Sequence, residues 1–119
     1  MQIIEACYRC FSTKHIRDSI LSMPQKSNHL FIYGISRFAT LCRKQLEEAG
    51  IKFEGYVVSD GQMKSDQIEE KKVYYLKEVL KDHGIAGFVL AVQPVNANVI
   101  VDYLKKNGVE NYCEPYKID

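Results

Sequence analysis

The stretch Leu30–Asp60, LFIYGISRFATLCRKQLEEAGIKFEGYVVSD, decides the fold of this chain. His29 to Tyr33 is a short apolar run bounded by Gly34, too brief for a helix and suited to a central strand. From Ser36 to Ala49 the residues Phe38, Leu41, Cys42, Leu46 and Ala49 recur at helical spacing, with Arg43, Lys44, Glu47 and Glu48 on the opposite side. Gly50 stands where a left-handed residue ends such a helix. Phe53 to Val58 is aromatic and β-branched, hence strand again, and Asp60 follows. Strand, glycine turn, helix, strand, acid is the order of a nucleotide-binding βαβ unit. Where such a unit carries G-x-G-x-x-G/A, this chain has Gly34-Ile35-Ser36-Arg37-Phe38-Ala39, with serine at the second glycine.

Working outward, Ser59 to Lys72 is polar and predicts a solvated connection or crossover. Val73-Tyr74 is a short edge strand, and Tyr75 to Lys81 a short helix closed by Gly84. Phe88 to Val92 is a continuous apolar run, as a strand covered on both faces requires. Gln93-Pro94 breaks it. A helix starts at Val95 or Asn96 and closes at Gly108, and Asn111 to Cys113 is a last short strand. Strands alternate with helices and no two-residue hairpin joins neighbouring strands. The pattern therefore predicts a three-layer αβα Rossmann-like domain over residues 29–119. Its sheet would be mostly parallel, of about five strands in the order 3-2-1-4-5. Ahead of it, Met1 to Met23 reads as helical, with Ile3, Cys7, Cys10 and Phe11, then Ile16, Ile20 and Leu21, at helical spacing and Ser12-Thr13 as an internal cap. Residues 1–28 thus form a helical arm, free to pack on the sheet, on a second subunit or on a neighbouring domain.

Composition narrows the function classes. The chain has 119 residues, of which 46% are hydrophobic and 26% charged, enough for one packed core. A formal net charge of +1, with no cluster of Lys and Arg, leaves no electrostatic footprint for nucleic acid. No apolar run is long enough to span a bilayer and no signal peptide opens the chain, so a cytoplasmic location without membrane insertion is expected. Cys7, Cys10, Cys42 and Cys113 are then reduced thiols. Cys7-Tyr8-Arg9-Cys10 is a C-x-x-C in a helical pattern with no second pair. His15, His29 and His83 show no ligand spacing, so no metal site is expected.

In this architecture a ligand sits beyond the carboxyl ends of the strands, where strand order reverses. That crevice would lie between the first strand and Phe88–Val92. Gly34, Ile35, Ser36, Arg37 and Phe38 would rim one side; Gln93, Pro94, Val95 and Asn96 the other. Amides opening the Ser36–Ala49 helix favour a phosphate there, and Arg37 adds a charge-assisted contact. Asp60 fits the carboxylate that accepts hydrogen bonds from a ribose, and equally a turn residue in Ser59-Asp60-Gly61. A Cβ at Ser36 obstructs the approach of a pyrophosphate; its hydroxyl suits a single phosphate or a helix cap. No Ser/His/acid or Cys/His arrangement emerges, so no catalytic residue is assigned.

The segments Phe31 to Ala39, Gly50-Ile51 and Gly55 to Asp60, with Val89 to Gln93 and Gly108 to Tyr112, resemble Rossmann-like domains of bacterial surface-polysaccharide proteins. These are accessory domains of capsule and teichoic-acid glycosyltransferases and the N-terminal domains of pilin-glycosylation-type sugar acetyltransferases. The resemblance spans about Leu30 to Tyr116. It implies a non-catalytic domain that holds a nucleotide-sugar for a transferase, with Gly34, Ser36, Arg37 and Asp60 as ligand contacts. The β-helix that carries acetyl transfer in the acetyltransferases has no counterpart here. Two alternatives stay open: a ligand-free structural or interaction module, and an NAD(H)-binding, oxidoreductase-like domain.

Overall fold

A computed structural model describes residues 13–26, 29–82 and 85–116. Along the chain run α1 (Thr13–Leu21), β1 (His29–Tyr33), α2 (Arg37–Glu48), β2 (Gly55–Val58), β3 (Gln67–Ile68), β4 (Lys71–Tyr75), α3 (Leu76–Asp82), β5 (Ala86–Leu90), α4 (Pro94–Lys106) and β6 (Tyr112–Cys113). Among the described residues the sheet has six strands in the order β3-β4-β2-β1-β5-β6. β1 pairs in parallel with β2 on one side and with β5 on the other; β2–β4 and β5–β6 are parallel too. The protein is therefore α/β with a mostly parallel sheet. The expected central strands lie in the expected neighbourhood, but there are six strands rather than about five.

The extra strand corrects the reading of 59–72 as a plain connection. β3 pairs antiparallel with β4, Gln67 opposite Lys72 and Ile68 opposite Lys71, so Glu69-Glu70 is a two-residue hairpin turn. Both turn residues are left-handed, with φ of 47° and 72°. Such a turn is normally written Asn-Gly or Asp-Gly, and two glutamates carry no sequence signal for it. Arg43 of α2 supports the turn: its Nη1 donates to the Glu69 carbonyl at 3.0 Å and faces the Glu69 carboxylate at 3.3 Å. Arg43, expected on the solvated side of α2, is instead a brace to the sheet edge.

Strand alternation sorts the core into two halves. Leu30 and Ile32 of β1 face one side with Tyr56, Val58, Val73 and Val89, covered by Ile16 of α1 and by Phe38, Ala39, Cys42 and Leu46 of α2. Phe31 and Tyr33 face the other with Val57, Phe88 and Leu90, covered by Leu76 and Val79 around α3 and by Leu104 of α4. Helices thus cover both faces. α1 shares the first half: Ile16 is fully buried, Arg17 Nη2 donates to the Ala49 carbonyl at the end of α2 (2.7 Å), and His15 Nε2 lies 2.9 Å from the Pro115 carbonyl. Residues 1–12 of the expected arm, Cys7-Tyr8-Arg9-Cys10 included, and residues 27–28 lie outside the described residues, as does Gly84.

Helix ends follow the sequence signals. At α2 the Ile51 amide closes on the Leu46 carbonyl (2.9 Å) with Gly50 left-handed between them; at α4 Val109 closes on Leu104 in the same way. α4 begins at Pro94, its first-turn proline, one or two residues ahead of the expected start at Val95 or Asn96. β5 likewise starts two residues earlier than the apolar run suggests, at Ala86, since pairing with β1 from His29 onward sets its register.

Candidate functional site

The local chain at the end of β1 is tightly determined. The Gly34 amide donates to the Val57 carbonyl (2.8 Å), and the Ala91 amide donates to the Tyr33 carbonyl (2.9 Å), so three strands hold this corner. Gly34 has φ +117°, and a Cβ there would lie 2.7 Å from the Ala91 oxygen and 3.1 Å from Val92 Cγ1. Only glycine meets both demands. The chain then turns extended at Ser36 and enters α2. Ser36 occupies the N-cap position, and its carbonyl accepts the Ala39 amide at 3.0 Å, but its hydroxyl makes no cap bond. The amides of Arg37 and Phe38 find no backbone acceptor among the described residues.

Beyond the carboxyl ends of β1 and β5 this geometry leaves a cleft of about 530 Å³. Gly34, Ile35 and Ser36 line one side, and Gln93 and Asn96 the other. Five expected residues therefore do converge where strand order reverses. Five do not join them: Pro94 and Val95 at the start of α4 lie outside the lining, as do Phe38, Arg37 and Asp60. Phe38 turns into the core and packs on Tyr116 (ring centroids 5.4 Å), because α2 needs an apolar anchor in its first turn. Arg37 is exposed and outside the cleft wall. Asp60 is committed to structure: one carboxylate oxygen accepts the Lys77 amide at 3.1 Å, and the other accepts the Tyr103 hydroxyl. The Asp60 amide donates back to Tyr103 at 3.3 Å, so the loop after β2 is tied to α4.

Tyr33, Val58, Gln62, Val92, Val99 and Ile100 complete the lining without having been anticipated. For Val99 and Ile100 a signal existed, since they follow Asn96 at helical spacing on one face of α4. For Gln62 there was none, because its place depends on the Asp60–Tyr103 tie and on the Tyr75 hydroxyl, which donates to the Gln62 carbonyl at 2.7 Å. Tyr33, the last residue of β1, is buried with its hydroxyl 2.6 Å from Ser59 Oγ. Burial, chiefly, pushes that hydroxyl up to about 12 from an ordinary 10.0, so it stays protonated at neutral pH. The bond to Asp60 raises Tyr103 in the same direction.

Buried thiols behave alike: desolvation drives Cys42 far above the usual range and Cys113 to about 12, which leaves both unreactive. Among the described residues no three His, Cys, Asp or Glu side chains cluster as metal ligands, and no helix is long and apolar enough to cross a membrane. Compared with known proteins, the chain matches no protein-family model, and no curated protein is significantly similar to it.

Proposed function

We propose that this chain is a Rossmann-like domain that binds a nucleotide or nucleotide-sugar and has no catalytic role of its own. It would serve a bacterial glycosyltransferase or related enzyme of capsule or other surface-polysaccharide biosynthesis in the cytoplasm. The observation that carries the reading is the cleft itself. It lies between the carboxyl ends of β1 and β5, where the sheet order reverses, and Gly34–Ser36 meet Gln93 and Asn96 across it. The uncapped start of α2 beside Ser36 favours an anionic group there by about 0.3–1 kcal/mol. The polysaccharide setting rests on the sequence resemblance alone.

Thermal unfolding with UDP-glucose, GDP-mannose and a wider set of nucleotide-sugars tests the proposal. A ligand at about 100 times its Kd stabilises by about 2.7 kcal/mol, which raises Tm by several degrees. A flat response to every nucleotide-sugar would rule the reading out. NADH is the counter-probe for the oxidoreductase-like alternative. Ser36→Gly removes the Cβ that blocks a pyrophosphate, so it should tighten NADH binding if that alternative holds and leave it unchanged if not.

A further inference from the structure

No residue that lines the cleft carries a charge. Ile35, Val58, Val92, Val99 and Ile100 give it apolar sides, and Val99 remains 69% exposed, as a wall awaiting cover would be. Three exposed carboxamides, Gln62, Gln93 and Asn96, stand around it, and none of their side chains is hydrogen-bonded to another described residue. A carboxamide presents donors and an acceptor in one plane, the complement of the edge of a nucleobase. Apolar walls exclude water from such bonds and cover the flat ring. The neighbouring cations point elsewhere: Arg37 is outside the lining, and Lys64 lies over the Tyr75 ring and 3.7 Å from Asp66.

Taking the site to be a nucleotide site, we infer that the cleft receives the nucleoside part of the ligand through the Gln62, Gln93 and Asn96 carboxamides, and that this part, rather than the phosphates, supplies most of the affinity. Phosphates lie toward Ser36 and the first turn of α2 and contribute mainly direction. Binding is then nearly insensitive to salt, because little of it comes from exposed charge.

Titration calorimetry on the whole chain tests this with uridine, cytidine, guanosine and adenosine beside UDP-glucose, GDP-mannose and inorganic pyrophosphate. The expected result is one nucleoside binding within about tenfold of its sugar diphosphate, pyrophosphate binding far more weakly, and little change between about 50 and about 300 mM NaCl. Asn96→Ala and Gln93→Ala, both at exposed positions and so without cost to the fold, should each weaken the nucleoside by roughly fivefold or more. If a nucleotide-sugar binds while every nucleoside is over about a hundredfold weaker, or if salt abolishes binding, the inference falls and the nucleotide site stands. If neither nucleosides nor nucleotide-sugars bind, the inference falls together with the site.

Discussion

A β-carbon at position 34 has nowhere to go. It would sit 2.7 Å from a backbone oxygen of the neighbouring strand, on a residue whose φ of +117° suits only glycine. Gly34→Ala should therefore destabilise the protein by roughly 2–4 kcal/mol, read as a fall in the urea midpoint with an unchanged slope. A change under about 0.5 kcal/mol would show that this corner can relax. Gln45 carries a second sharp expectation. It is a polar residue on the buried side of α2, and its Oε1 accepts the Tyr116 hydroxyl at 2.6 Å. Tyr116→Phe removes that donor inside the core and should cost about 1–3 kcal/mol. Adding Gln45→Met should recover part of the loss, since it removes the acceptor that the missing hydroxyl would strand; a strictly additive double variant would argue against coupling.

The β3–β4 hairpin is the element whose sequence and geometry disagree. Two consecutive left-handed glutamates are strained, and Arg43 holds the turn from α2. Replacing Glu69-Glu70 by Asn-Gly supplies the residues that such a turn favours, and should raise stability by about 1 kcal/mol despite the lost Arg43 contact with the Glu69 carboxylate. Thermal denaturation checks it, and a lowered Tm would mean that the ion pair outweighs the strain. The same disagreement explains why β3 was not legible. Turn chemistry is the cue for a short hairpin, and this turn is imposed by a partner from another element. Where cue and geometry agree, as in β1, α2 with Gly50, and α4 with Pro94 and Gly108, the elements fell within a few residues of their expected bounds.

Across the whole molecule, three buried acids share one direction. Tyr33, Cys42 and Cys113 all ionise less readily in the fold, from ordinary values of 10.0 for tyrosine and 9.0 for cysteine. Above pH 9 the unfolded chain releases protons that the native state keeps, so the unfolded state holds fewer. Stability is then fully present below about pH 9 and falls as pH rises through about 12. Melting curves collected between neutral pH and about pH 11 should show Tm falling with alkalinity, and Cys113→Ala should flatten that fall even as it lowers Tm throughout. A Tm independent of pH across this range would show that the three groups ionise without unfolding.

Local chemistry was enough to establish the α/β class, the mostly parallel sheet outside the β3–β4 hairpin, and the corner at Gly34, because period, turn residues and helix caps act over a few neighbouring positions. The convergence of Gly34, Ile35 and Ser36 with Gln93 and Asn96 was legible for the same reason, once strand order was fixed by topology. Tertiary structure alone decided the rest. It took Asp60 into a bond with Tyr103, sent Phe38 to the core against Tyr116, and brought Gln62 to the cleft. Each of those outcomes depends on a partner distant in sequence, whose side chain competes for the same group or the same space, and such competition is resolved only when the elements pack.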